Sequence, residues 1–161
     1  MEPGEAVDWA LIPGTRWYRP ELAAAAVGAL ARADTPGQVV QAVADLRHAV
    51  SNDHAGSLYP AAVPAAGVFV QVILQQPGEP RAYALSTLLD WWGCFRPEPG
   101  FEVYDDPAGG PAEITEGIMQ RVRQAAAALK QLAATFPAGE HRRAITEMLR
   151  LLGRGWVIDD G

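Results

Sequence analysis

Apolar residues recur at steps of three and four along most of this chain. Val39, Val43, Leu46 and Val50 fall on one stripe if the segment is helical. Val68, Phe69, Val72 and Ile73 repeat in the same way, as do Leu85, Leu88, Leu89, Trp92 and Phe95. The cleanest periodicity is Ile114, Ile118, Val122, Ala125, Leu129, Leu132 and Phe136. The last stripe is Ile145, Met148, Leu149 and Leu152. Proline and glycine cut these stripes into pieces of helical length. The pattern predicts helices over 21–33, from Thr35 to the end of its stripe at Val50, and over 58–76, 80–95, 112–136 and 140–152. Thr35-Pro36-Gly37-Gln38 is a helix-opening signature, with Thr35 capping the Gln38 N–H, Gln38 reaching back to Thr35 and Pro36 at the first position. Between the fourth and fifth helices lies a long Pro/Gly/Asp-rich connection, 96–111, broken only by the extended-looking Phe101-Glu102-Val103-Tyr104. Beyond Gly153, the Trp156-Val157-Ile158 part of the tail is expected to pack, and Asp159 and Asp160 to stay in water.

The third segment is the least straightforward. Val, Ile and Phe dominate 68–74, which has strand propensity, and Pro60 and Pro64 stand at its head. Length argues for a helix, because the apolar run extends back to Ala61 without a turn signal other than proline. A proline inside a helix costs about 3 kcal/mol, through a lost hydrogen bond and a clash with the preceding turn. In the first turn the cost falls, because the N–H groups there have no acceptor within the helix. Pro60 is therefore expected as an entry residue, and Pro64 as a bend near the helix start.

The second, fourth and sixth helices start near Thr35, Gly78 and Gly139; the first, third and fifth start near Pro20, Tyr59 and Pro111. The first spacing in each set is about 40 residues, the period of arrays built from helix pairs that bury their apolar faces on one another. The residues also resemble a family. His54-Ala-Gly56-Ser57-Leu-Tyr59-Pro60-Ala61, followed by Pro64 and Val68-Phe69-Val70, is similar to the second repeat of bacterial HEAT-repeat proteins. Asp8-Trp9 and Tyr18-Arg-Pro-Glu-Leu22 resemble that family's opening helix. The resemblance spans roughly 8–95, with Ser57 where the family has Thr and Ala66-Gly67 interrupting its apolar run. It implies an all-α fold, a right-handed stack of about three antiparallel helix pairs in the manner of a HEAT or armadillo solenoid, and a binding or scaffold function.

Composition is globular, with 49% apolar and 20% charged residues in 161, which suits a single domain over 1–161. The opening MEPGEAVDW has no apolar signal region, and no apolar run reaches the length of a membrane span. The single cysteine, Cys94, lies among Trp91, Trp92 and Phe95 and reads as a buried thiol; a cytoplasmic location is the expectation. Twelve of the thirteen cations are Arg, which with abundant Ala, Gly and Pro suggests a GC-rich bacterial gene. The formal net charge of -6 argues against nucleic acid and allows a basic protein partner.

That charge is concentrated. Glu98, Glu102, Asp105, Asp106, Glu113 and Glu116 against Arg96 give the stretch 96–116 a local charge of -5. Phe101, Val103 and Tyr104 are interleaved with these acids. Such a pattern suits steered contact with a basic partner, with Phe101, Glu102, Tyr104, Asp105 and Asp106 as the binding residues and an aromatic anchor among them; the plain reading is a solvated loop whose aromatics fold back onto the helices. A second candidate is a pocket at Asp53, His54 and Tyr59, which offers a base, an orienting carboxylate and a phenol, but no triad is completed by recognisable spacing. His48, Asp53, His54 and His141 lack metal-ligand spacing, so neither metal nor cofactor is expected. Gly109-Gly110-Pro111 reads as a helix entry, with Glu113 and Glu116 repelling any anion there. Of the adjacent Trp91 and Trp92, Trp92 is expected inward and Trp91 partly exposed. Arg142, Arg143, Arg150 and Arg154 could form a basic face, but Glu140 and Glu147 interrupt it. The sequence therefore points to a non-enzymatic module that binds a protein, in its most concrete form an immunity- or antitoxin-like inhibitor of a basic partner. An enzyme using the His54 and Tyr59 pocket is the competing reading.

Overall fold

A computed structural model describes residues 7–107 and 109–158; Asp159 and Asp160 lie outside them. A 3-10 turn, Trp9–Leu11, leads into α1 (Pro20–Arg32) and α2 (Pro36–Val50). Two-residue strands β1 (Ser51–Asn52) and β2 (Ser57–Leu58) precede α3 (Ala62–Gln75) and α4 (Glu79–Cys94). Strand β3 (Arg96–Pro97) and a hairpin of β4 (Val103–Asp106) and β5 (Gly110–Glu113) follow. Helices α5 (Ile114–Gln124), α6 (Ala126–Ala134) and α7 (Glu140–Arg154) complete the chain.

The molecule is mostly helical, but the all-α expectation needs correcting. The ends of three helices are tied by a small sheet of order β1-β2-β3, antiparallel between the first two strands and parallel between the last two. Backbone bonds from Arg96 N–H to the Gly56 carbonyl (2.9 Å) and from Glu98 N–H to the Leu58 carbonyl (2.8 Å) pull the start of the acidic connection onto this sheet. The second sheet is the β4–β5 hairpin.

Residues 68–74 are helical. The helix starts at Ala62 rather than at 58, because Ser57 and Leu58 are taken up by the sheet and the Tyr59 N–H bonds to the Val50 carbonyl at 3.0 Å. Pro64 is thus the third helical residue, where its missing N–H leaves no bond unmade. Helix α3 is buried nearly all round, at Ala62 to Ala66, Phe69, Val70, Val72 and Ile73, as a central helix must be. It packs on α4 and α5, while α2, α4 and α7 contact one another in sequence, and α1 packs on α2. The α3–α5 crossing is close: a Cβ at Gly117 would sit 2.9 Å from Val63, so only glycine fits.

The start of α2 is capped as expected by Thr35 Oγ1, which accepts the Gln38 N–H at 3.2 Å. Gln38 Oε1, however, accepts the Asp34 N–H at 2.7 Å instead of reaching Thr35. The helix expected over 112–136 is two: Ala112 and Glu113 belong to β5, and the helical chain breaks at Ala125, whose N–H bonds to the Val122 carbonyl as in a 3-10 turn. No proline or glycine marks that break in the sequence; it leaves both Val122 and Leu129 fully buried.

The aromatic expectations are also revised. Trp91 and Trp92 are both buried, Trp91 against Phe69 with ring centroids 5.4 Å apart. Trp92 stacks on Trp156 at 5.2 Å and donates to the Gly155 carbonyl, while Trp156 donates to the Phe95 carbonyl. These reciprocal bonds pin the segment after α7 to the end of α4. Cys94 is exposed, not buried: at the last turn of α4 its side chain leaves the stripe of Trp91, Trp92 and Phe95. At the other end of α4, buried Arg81 donates to the Ile73 carbonyl (2.6 Å), closing the C-terminus of α3, and lies over the Phe136 ring at 5.3 Å. Burial pushes its guanidinium pKa down.

Candidate partner-binding face

The acidic connection is an ordered frame. Phe101 N–H bonds to the Glu98 carbonyl at 2.9 Å, making a turn in which Gly100 adopts a φ of +86°, a conformation open to glycine. Glu102 accepts the Gly100 N–H at 2.8 Å, which holds its carboxyl below the usual range. The Ile114 N–H bonds to the Glu102 carbonyl at 2.9 Å, and the β4–β5 ladder continues with Val103 opposite Glu113 and Asp106 opposite Gly110.

Period-two alternation then sorts the side chains. Tyr104 and Asp106 point toward α5. Tyr104 is buried in the core, and Asp106 pairs with Arg121 at 2.9 Å with both side chains half-buried. Val103 and Asp105 point away, Val103 half exposed. The five predicted binding residues therefore separate. Glu102 and Asp105 are exposed, Phe101 is half-buried, Asp106 is held by Arg121, and Tyr104 is unavailable as a surface anchor because hairpin packing needs it inside. Burial, the Asp106 carboxylate and Asp105 raise the Tyr104 pKa, against Arg121, which lowers it.

Beside the hairpin runs a groove of about 660 Å³, lined by Tyr104, Asp105 and Asp106 of β4, by Val7, Asp8, Leu11 and Ile12 of the N-terminal segment, and by Pro64 and Arg121. The N-terminal wall is set by Tyr18, whose hydroxyl donates to the Trp9 carbonyl at 2.7 Å. Its pKa is pushed up to about 12, first by burial and then by Glu21 and Tyr104. This wall exposes apolar surface at Val7 and Leu11, the latter 80% accessible. The N-terminal contribution was not foreseen from the sequence. The available signal was that Leu11 lies outside any helical stripe.

The three residues of the second candidate share a depression but make no bonds to one another among the described residues. Asp53, His54 and Tyr59 do line one shallow depression with His48, Ser51 and Asn52. But Asp53 is bound by Arg47 (3.2 Å) and approached by His48 Nδ1 (3.6 Å), and His54 is anchored by its backbone N–H to Asn52 Oδ1 while its ring makes no bond among the described residues. The Tyr59 phenol is buried and its pKa raised, by burial and then by Glu98, opposite to what a general base needs. Arg47 is structural: it also pairs with Asp90 at 3.1 Å, reaches Thr87 and lies 6.0 Å from the Phe95 ring centroid.

On α7, Arg150 makes two bonds to Glu147, at 2.8 and 2.6 Å, and Arg142 and Arg143 are exposed. Among the described residues no three His, Cys, Asp or Glu side chains are grouped to hold a metal ion, and no helix is long and apolar enough to cross a membrane. Compared with known proteins, the chain matches no family model, no curated protein and no solved structure.

Proposed function

We propose that this chain is a non-enzymatic binding module that recognises a basic protein partner through the face carrying Glu98, Glu102 and Asp105. The observation that carries the reading is the state of these three acids. Each has no cationic partner among the described residues, although Asp53, Asp90, Asp106, Glu116 and Glu147 have theirs. They are held on a bonded turn and hairpin beside a groove with exposed apolar surface. Fixed, unneutralised charge next to apolar area steers a partner of opposite sign and discriminates against acidic ones.

The scaffold reading goes with it. Helix pairs α1/α2, α3/α4 and α6/α7, with α2, α4 and α7 in sequential contact, support a HEAT-like stack. Such stacks present loops and concave faces to partners. An immunity- or antitoxin-like inhibitor that covers a basic surface is the concrete form. The test is capture from lysate with the wild-type chain and with Glu102→Lys/Asp105→Lys as baits. Loss of partners on charge reversal is expected; recovery of the same partners by both baits overturns the reading. Asp106 is left intact because Arg121 needs it.

A further inference from the structure

Hairpin β4–β5 has only two strands, and its two outer edges are unlike. In an antiparallel pair, residues alternate between those bonded across the ladder and those whose N–H and C=O point outward. The Ile114 N–H to Glu102 carbonyl bond sets the phase. Residues 102, 104 and 106 face β5, so Val103 and Asp105 turn their backbone groups to the outer edge of β4, where the described backbone bonds include none to their N–H groups. On the β5 side, the residue opposite Asp105 is Pro111. Its missing N–H falls at an outward position and blunts that edge. No proline or lysine protects β4.

Resting on the binding-module reading above, we infer that an extended peptide of the basic partner adds to the outer edge of β4 as a third strand, its apolar side chains entering the groove on the Tyr104 side and its Lys or Arg on the opposite side meeting Asp105, with Glu102 and Asp8 adding to the negative field. Strand addition supplies affinity through main-chain bonds, and alternate side chains supply selectivity. The groove wall formed by Tyr104, Asp105 and Asp106 belongs to the same strand, so one extended segment reaches both. The acids choose the occupant. Asp8, Glu102 and Asp105 have no cationic partner among the described residues. Glu102 and Asp105 would repel the same strand of a second copy, which guards the edge against self-pairing.

The probe is an end-blocked peptide of alternating Val and Lys, about eight residues long, titrated into the full chain while the Val103 and Asp105 amides are followed by NMR and hydrogen exchange. Binding that protects both amides is expected. Methylating the peptide nitrogens that face β4, or making Val103→Pro, is expected to weaken binding by about tenfold or more, the scale of a lost hydrogen bond. Val103→Thr keeps the N–H and is expected to bind like the wild type. The methylated peptide tests the wild-type chain, so the result does not hang on Val103→Pro folding. A Val/Glu peptide is expected not to bind.

Equal binding of the methylated peptide overturns strand addition while leaving the charged-face reading intact. Loss of charge dependence in lysate capture overturns that reading instead. Absence of Val/Lys binding, a dimer abolished by Val103→Pro, or binding seen only after removal of residues 1–6 each overturns the proposal, the last two in favour of a second copy or the chain's own N-terminus.

Discussion

Two acid-bearing regions of this molecule behave in opposite ways. At the junction of α2, α4 and the β1–β2 turn, Asp53 and Asp90 flank one guanidinium, that of Arg47, whose side chain is only 14% accessible. Around the turn before β4, Glu98, Glu102 and Asp105 flank no cation among the described residues. Arg47 is held charged by Asp90 and Asp53 against the opposing effect of burial, and its pKa is raised. The first group joins elements and is satisfied internally. The second is held in place by backbone bonds and left without a counter-charge among the described residues. An acidic residue thus carries no functional meaning by itself; its meaning depends on whether the fold delivers a cation to it.

The comparison breaks most visibly if the outward acids lose their frame. Tyr104→Ala removes the buried ring that fixes β4 to the helices, and about 3 kcal/mol of stability is expected to go with it. Urea unfolding would give the loss, and the Val103 and Asp105 amides should exchange faster than those of α3. Equal protection in the two regions would show that Tyr104 does not hold the hairpin.

Arg47→Ala tests the inward group. The pairs are partly exposed, so their electrostatic part is discounted, and with the lost packing of the arginine stem about 2 kcal/mol is expected. The shift in urea midpoint should shrink when Asp53→Asn and Asp90→Asn are added, because the stranded carboxylates are then gone. An unchanged midpoint for Arg47→Ala would remove the contrast between the regions.

Tyr18 links the groove wall to pH. Its pKa in the folded chain is raised to about 12 from an ordinary value of 10.0. The neutral phenol is the form the fold favours. Its contribution is therefore complete below about pH 10 and is lost as pH rises through about 12. Tyr18→Phe is expected to cost about 1 kcal/mol at neutral pH, through the lost bond to the Trp9 carbonyl, and to flatten the alkaline decline measured by urea unfolding at stepped pH. An alkaline slope identical in the variant and the wild type would contradict this assignment.

Glu102→Gln/Asp105→Asn should give the smallest change in stability, with no resolvable shift of the urea midpoint, together with loss of captured partner. A large stability change would mean that these acids are structural after all, and the two regions would no longer differ in kind.

The limits of the sequence follow the same division. The stripes of α2, α4 and α7, the Thr35 cap and the helical state of 68–74 were legible because 3.6-residue periodicity, capping and first-turn proline are local effects. The kept place of Pro64 depended only on where its helix begins. Cys94 and Trp91 depart from expectation because their neighbours in sequence are not their neighbours in space: one end of α4 turns Cys94 outward, and Phe69 of α3 closes over Trp91. Leu58 is expected in the third helix because the strand that draws it away, Arg96–Pro97, lies far along the chain. The acids around Tyr104 suggest a surface anchor, whereas strand alternation turns its ring inward, away from Asp105.

From its sequence alone this chain was bound to be helical, proline-punctuated and acidic in one stretch, since these properties arise within a few turns of backbone or from composition. Which carboxylates find a cation, which tryptophan is covered and which strand edge stays open depend on residues tens of positions apart meeting at a few ångströms. Coulomb and contact energies fall off over such distances, so only the folded chain decides them.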